Sequence, residues 1–100
     1  MIEVQQGEDR DEVVVSFSGG LDLRGAEQLV TLALQQPPSR RVVFDVSRAS
    51  SVHDSALGKL CDALPRNRPH SFRGVNRHQA RVLSCFGETI EAPPSDGETR

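Results

Sequence analysis

The stretch from residue 41 to residue 60 constrains the fold of this chain more than any other. Its first part holds an apolar run typical of a strand covered on both faces, formed by Val42, Val43, Phe44 and Val46. Its last part repeats apolar side chains on one helical face, at Leu57, Leu60, Cys61 and Leu64. The serine-rich residues 47–54 between them are predicted to form a loop. A buried strand that leads through a short loop into an amphipathic helix is a building block of α/β folds.

The rest of the chain repeats this alternation of strand and helix. Further strands are predicted at 2–6, 13–17 and 70–75, and helices at 24–36, 55–64 and 77–86. Gly19 and Gly20 are expected to end the second strand, and Gly87 to cap the last helix. The side chains predicted to face inward are Ala26, Leu29, Val30 and Ala33 in the first helix and Val82, Leu83 and Phe86 in the last.

This element order predicts an α/β fold with a small, mostly parallel sheet of about four strands. Strands joined through a helix are connected by right-handed crossovers, so they lie parallel with the helices packed against them. The first two strands are close enough in sequence to form an antiparallel hairpin. Residues 1–87 are expected to form the domain. Residues 88–100 are predicted to be a flexible tail, because they carry too little apolar surface to order themselves.

Composition excludes several classes of protein. The formal net charge is −2 and the chain has neither Tyr nor Trp, which argues against nucleic-acid binding. No apolar run approaches the roughly 18 residues of a membrane span, and the first residues do not resemble a signal peptide. Cys61 and Cys85 are predicted to be small buried hydrophobic residues rather than a disulfide. We therefore expect a cytoplasmic protein in a reducing setting.

No catalytic, metal or cofactor site is predicted. His53, Asp54 and Ser55 are neighbours in sequence, whereas a catalytic triad needs side chains that converge from separate elements beside an oxyanion hole. The three histidines show no metal-ligand spacing with the cysteines. These observations predict a non-enzymatic protein.

An arginine-rich segment without acidic residues lies between residues 63 and 87. Its members are Arg66, Arg68, Arg73, Arg77 and Arg81. The simplest interpretation is a solvated helix face and loop. One alternative is a docking patch for an acidic protein surface. The other is nucleic-acid binding, which strongly salt-dependent binding to any duplex would support.

Four motifs in this order resemble the landmarks of the STAS domain, the fold of bacterial anti-sigma-factor antagonists. They are Gly19-Gly20-Leu21-Asp22-Leu23, Asp45-Val46-Ser47, His53-Asp54-Ser55-Ala56-Leu57-Gly58-Lys59-Leu60 and Gly74-Val75-Asn76. The resemblance covers about residues 10 to 87 and implies a protein-interaction module that regulates transcription by partner switching. Such a domain binds an anti-sigma factor that is also a serine kinase. Phosphorylation at the start of the second helix adds about −1.5 to −2 charges and breaks that complex.

The resemblance leaves the identity of the phosphorylated residue open. A gapless alignment places Asp54 at this switch position, where a carboxylate resembles a phosphate only in part and is also a candidate N-cap. A gap in the preceding loop instead places Ser55 there, as the phosphoacceptor.

The partner-binding surface implied by the resemblance consists of Asp22, Ser50, Ser51, His53, Asp54, Ser55 and Gly58. A second branch of the family keeps the fold and changes the partner. STAS domains also serve as accessory subunits of bacterial phospholipid-transport ABC systems, and this chain is similar to that branch as well. That alternative implies an ABC ATPase as the partner.

Overall fold

The computed structural model describes residues 1–7, 9–65 and 67–91. The elements in chain order are β1 Ile2–Gln6, β2 Glu12–Leu21, α1 Leu23–Gln35, β3 Arg41–Val52, α2 Asp54–Ala63, β4 His70–Arg73, α3 Arg77–Cys85 and β5 Ile90–Glu91. The strands form one sheet in the order β1-β2-β3-β4-β5. The hairpin of β1 and β2 is antiparallel, and every other pair is parallel. The predicted α/β class and N-terminal hairpin are confirmed.

One face of the sheet carries the core. The strands contribute alternate side chains to it, namely Val13, Val15, Phe17, Val42, Phe44, Val46 and Phe72. The helices contribute a complementary set, which includes Ala26, Leu29, Val30, Ala33, Leu57, Leu60, Leu64 and Leu83. Because successive strand residues point to opposite faces, the other face of the same strands carries Ser16, Asp45, Ser71 and Arg73. The predicted inward residues of α1 are confirmed.

The predicted loop over residues 47–54 is wrong, and so is the predicted end of β2 at Gly19 and Gly20. Strand β2 continues to Leu21 and β3 to Val52, so the two strands pair along their whole length. Only His53 separates β3 from α2. The sequence suggested a loop because this stretch is rich in serine, which favours turns when no partner strand is considered.

Two bulges allow β3 to follow β2 through this polar stretch. The register passes from Ser16 opposite Asp45 to Ser18 opposite Arg48, and each shift gives β3 one residue more than β2. At the first bulge, the Asp45 carboxylate accepts a hydrogen bond from the Ser47 backbone N–H at 2.9 Å. At the second, Gly19 adopts φ +94°, which costs glycine little.

The residues on the inner face of the last helix are less completely buried than the sequence predicted. Leu83 is buried and Val82 half-buried, but Phe86 is 49% exposed because α3 ends at Cys85. Cys85 is also exposed rather than buried, and Cys61 is half-buried; both are free thiols. Gly87 has φ +74° and ends the helix through backbone bonds from Gly87 N–H to Ser84 O and from Glu88 N–H to Leu83 O. The C-cap residue itself is Phe86 rather than the predicted Gly87, which follows it in the left-handed conformation.

A fifth strand, which the sequence did not predict, forms one margin of the sheet. Ile90–Glu91 pairs in parallel with β4 and lies within the segment expected to be a flexible tail. The preceding Glu88 makes a side-chain hydrogen bond with His70, between Oε1 and Nε2. The remainder of that predicted tail, residues 92–100, lies outside the described residues.

Candidate partner-binding site at the carboxyl edge of the sheet

The carboxyl ends of β2, β3 and β4 meet at one edge of the sheet, where the chain turns into each helix. These strands end at Leu21, Val52 and Arg73, and they are parallel. Most of the predicted partner-binding residues lie just before or just after these strand ends. We call them the carboxyl-edge patch: Asp22, Ser50, Ser51, His53, Asp54 and Ser55. All six are exposed, so the patch presents hydroxyl, imidazole and carboxylate groups to a partner.

Asp22 combines an exposed position with a structural role. It is the N-cap of α1, and its Oδ1 accepts a hydrogen bond from the Gly25 backbone N–H at 2.9 Å. Such a cap contributes about 0.5–2 kcal/mol to helix stability. One Asp22 oxygen is therefore engaged within the protein.

Ser50 and Ser51 belong to the bulged end of β3 rather than to a loop. Ser51 lies opposite Gly20, whereas Ser50 is the additional residue of the second bulge. A Cβ atom at Gly20 would come within 3.3 Å of Ser51 Oγ, so a side chain there would crowd this hydroxyl. Because β3 is paired with β2 up to Val52, both serines have a fixed position relative to the start of α2.

Asp54 does not cap α2, contrary to the sequence prediction. The N-cap is His53, which makes no side-chain capping hydrogen bond, and Asp54 is the first residue of the helix. A negative charge is favourable at this position because it lies beside the positive end of the helix dipole. Ser55 follows in the same first turn and is exposed. Its hydroxyl is therefore available to solvent in the same first turn as the Asp54 carboxylate.

His78 is a member of this region that sequence reasoning missed. Its Nε2 lies 2.9 and 3.2 Å from the two carboxylate oxygens of Asp54. His78 belongs to the first turn of α3, which follows the turn at Gly74 and the capping box of Asn76 and Gln79. The contact joins the beginnings of α2 and α3. The partners are 24 residues apart, so no local spacing in the sequence could reveal the pair.

Gly58 differs from the other predicted partner-binding residues in its surroundings. It is half-buried and lies one turn further along α2. A Cβ atom placed there would meet only Phe86, at 3.9 Å. The structure therefore places Gly58 beside the end of α3 and outside the carboxyl-edge patch.

The arginine-rich segment does not form one surface patch. Arg68 is buried and donates to the backbone at the end of α1. Arg73 donates to Glu91 at 3.0 Å on the opposite face of the sheet from the core. Arg77 and Arg81 are exposed on α3, and Arg66 lies outside the described residues. The arginines that were interpreted as a solvated helix face and loop therefore lie in several different environments.

The described residues add two negative observations. Within 1–7, 9–65 and 67–91, no group of three His, Cys, Asp or Glu side chains is arranged to hold a metal ion. In the same ranges, none of the helices has the length and apolar character that crossing a membrane requires.

A family model described as Mlab, STAS domain, matches residues 4–89. This chain therefore belongs to the STAS domain family, as its motifs suggested. No curated protein sequence matches it.

Solved structures of low sequence identity share the fold over almost the whole chain. The Bacillus cell fate determinant SpoIIAA in its phosphorylated form has a TM-score of 0.64 at 17% identity, covering 99% of this chain and 96% of that one. An anti-sigma factor antagonist from Mycobacterium paratuberculosis has a TM-score of 0.62 at 18% identity, with 98% and 90% covered. The STAS domain of a SulP transporter from Vibrio cholerae has a TM-score of 0.60 at 11% identity, with 92% and 80% covered. At these identities the likeness defines the fold.

Proposed function

We propose that this protein is a non-enzymatic, cytoplasmic anti-sigma-factor antagonist that uses the carboxyl-edge patch as its docking surface. The observation that carries the proposal is the convergence of six exposed polar residues where the first turns of α1 and α2 begin. Two of the similar folds described above are an anti-sigma factor antagonist and a cell fate determinant solved in a phosphorylated form. The proposed partner is an anti-sigma factor with serine-kinase activity.

The switch in this proposal is electrostatic. Asp54 provides a permanent negative charge at the first position of α2, and Ser55 provides the adjacent hydroxyl. Phosphate on Ser55 would add about −1.5 to −2 charges beside Asp54. Two neighbouring negative groups would repel an acidic partner surface, so phosphorylation would release the partner. Without phosphate, Asp54 would be the only negative charge of this pair, and the patch could dock its partner.

An affinity pull-down from the native cell extract tests the proposed partner class. The wild-type chain is compared with Asp54→Ala, and Glu27→Ala on the exposed face of α1 serves as the matched control. We expect a kinase-like anti-sigma factor to be recovered by wild type and by Glu27→Ala, with altered recovery by Asp54→Ala. Recovery that is identical for all three proteins would remove the carboxyl-edge patch as the docking surface.

Mass spectrometry tests the proposed phosphoacceptor. After incubation with the recovered kinase and ATP, phosphate is expected on Ser55 and should be absent from Ser55→Ala. Ser50→Ala and Ser51→Ala are the matched controls, because both serines are exposed in the same patch. Phosphate that persists in Ser55→Ala would assign the switch to another hydroxyl. If only Asp54→Ser accepts phosphate, Asp54 has replaced the switch residue.

A second candidate function follows from the description of the matching family model, Mlab, STAS domain. In this alternative, the chain is an accessory subunit of a bacterial phospholipid-transport ABC system. The same pull-down distinguishes the two functions, because it would then recover an ABC ATPase instead of an anti-sigma factor. Asp54 would in that case be a contact with the ATPase.

A further inference from the structure

The margin of the sheet formed by β1 is an open strand edge. Its antiparallel ladder with β2 starts where Ser18 N–H donates to Met1 O, at 2.9 Å. It ends where Gly7 N–H donates to Glu12 O, at 2.8 Å. Because bonded and non-bonded positions alternate in such a ladder, the odd-numbered residues of β1 bond to β2. The even-numbered residues direct their backbone N–H and C=O groups away from the sheet, and no described strand pairs with them. They are Ile2, Val4 and Gln6.

This edge has none of the features that protect the margin of a sheet from pairing. Strand β1 contains no Lys and no Pro, and its register with β2 has no bulge. At the other margin, β5 is only two residues long within the described residues, and so short a strand offers little to pair with. Val4 adds an apolar group at the open edge, because it lies opposite the buried Val15 but is itself 45% exposed. The β1 edge therefore offers both unpaired backbone groups and apolar surface.

A shallow groove between β1 and α1 continues this surface. It is lined by Ile2, Arg24, Glu27, Gln28, Thr31 and Leu32. Ile2 and Leu32 are half-buried and contribute apolar surface. Arg24 and Glu27 carry opposite charges, so the groove has no net formal charge. Such a surface does not repel a second copy of itself.

We propose that β1 pairs in antiparallel fashion with β1 of a second copy of this chain, about a two-fold axis at Val4. In this arrangement, the outward backbone groups of Val4 bond to those of Val4 in the second copy, and those of Ile2 bond to those of Gln6. All outward groups of both strands are then paired, through about six hydrogen bonds. The two sheets become continuous, and the two exposed Val4 side chains lie opposite each other. The interface is closed and symmetric, as in most homodimers.

The side chains favour this register over its neighbours. Any shift by two residues leaves some of the outward backbone groups unpaired. A shift toward the start of the chain would also place the two Glu3 carboxylates opposite each other, which is unfavourable. The register centred on Val4 instead places Glu3 opposite Gln5 of the second copy, whose amide can donate to the carboxylate. Backbone and side chains match in the same register, which is the reason to infer a second copy rather than a strand of another protein.

Sedimentation equilibrium tests the proposed dimer. We expect the average mass to rise from that of one chain toward that of two as the concentration increases from about 10 μM to about 1 mM. The mass of one chain throughout this range would overturn the proposal. The β1 edge is separate from the carboxyl-edge patch, so this result does not depend on the proposed function.

Two substitutions at Val4 test whether the dimer forms through β1. Val4→Pro removes an outward N–H and none of the bonds to β2, and proline is tolerated on edge strands whose N–H faces solvent. We expect it to weaken dimerisation at least about tenfold. Val4→Lys is expected to act in the same direction, and it keeps the test valid if Val4→Pro fails to fold. Leu34→Lys, at a residue of α1 that is 48% exposed, is the matched control and should dimerise like wild type. A dimer that both Val4 variants leave unchanged would contradict the proposal.

Substitutions at Gln5 test the register. Gln5→Glu would place a carboxylate opposite Glu3 twice in each dimer, whereas Gln5→Lys would place an ammonium group there. We expect Gln5→Glu to weaken dimerisation several-fold and Gln5→Lys to strengthen it. Equal affinities of the two variants would contradict the register centred on Val4. If the wild-type chain stays monomeric and Val4→Pro instead loses a protein recovered in the pull-down, the edge binds a strand of that protein and the proposed second copy is wrong.

Discussion

At the scale of single residues, Gly74 is held by two independent constraints. Its φ is +76°, and a Cβ atom there would lie 2.5–2.8 Å from Ser47 atoms, including the backbone nitrogen. Backbone cannot move away as a flexible side chain can. We predict that Gly74→Ala lowers the free energy of unfolding by more than the roughly 1–2 kcal/mol expected from a positive φ alone. Urea unfolding measures this difference.

Gly87 is the matched control for this prediction. It has nearly the same φ, +74°, but a Cβ atom placed there would meet nothing within 4 Å. Gly87→Ala is therefore expected to cost only the conformational strain, about 1–2 kcal/mol. If the two substitutions lower the free energy of unfolding equally, the close approach of Gly74 to Ser47 does not add to the cost of a side chain at Gly74.

The two cysteines are predicted to differ strongly in reactivity. Only the thiolate reacts rapidly with alkylating reagents, and burial is the main reason that the pKa of Cys61 is raised to about 12. Cys85 is exposed at the end of α3. We expect iodoacetamide to label wild type and Cys61→Ser at similar rates, and Cys85→Ser many times more slowly. Rapid labelling of the folded Cys85→Ser variant would contradict the burial of Cys61.

At the scale of elements, the contact between Asp54 and His78 is expected to matter little for stability. The two side chains are 61% and 63% exposed. An exposed pair typically contributes less than about 1 kcal/mol, because water screens it and two side chains must be ordered. A double-mutant cycle with Asp54→Asn and His78→Gln should give a coupling free energy below about 1 kcal/mol. A larger value would contradict this prediction. The free energy of unfolding of each Asp54 variant, measured in the same cycle, shows whether altered partner recovery reflects docking or unfolding.

The end of β3 illustrates which elements could be predicted from the sequence. Val42, Val43, Phe44 and Val46 are all buried, so their apolar run identified the strand. Beyond Val46, the residues are polar and the pairing depends on two bulges against β2. Neither bulge has a local signal, because each arises from the register between two strands that are distant in sequence. The helices were easier to predict, since the spacing of apolar residues in the sequence indicates an apolar face such as that of α1.

At the start of α2, too, the sequence predicted the general position of the candidate site but not its contacts. The sequence placed its exposed residues at one sheet edge, because parallel strands end together. It could not identify His53 as the N-cap, because Asp and Ser are statistically better caps and the helix start is shifted by a single residue. Nor could it place His78 beside Asp54. Contacts between helices depend on packing that a single sequence does not reveal.

At the scale of the whole molecule, the margin formed by β4 and β5 links stability to pH. Glu91 accepts hydrogen bonds from Ser71 at 2.8 Å and from Arg73 at 3.0 Å. Burial is the largest single influence on the pKa of Glu91 and raises it, but these two bonds and the charge of Arg73 together outweigh burial and lower the pKa. The folded protein therefore binds a proton at Glu91 less readily than the unfolded chain does.

The lowered pKa of Glu91 predicts a loss of stability in acid. Its contribution is fully present above the unfolded value of about 4.5, and it disappears as the pH falls through the lower folded value. We expect Glu91→Gln to reduce the free energy of unfolding by about 1 kcal/mol near neutral pH and to converge with wild type as the pH falls below the folded pKa of Glu91. Urea unfolding at a series of pH values measures both quantities, and Arg73→Gln should show the same convergence. A difference between wild type and Glu91→Gln that does not change with pH would mean that β5 is not held to the sheet by its charge.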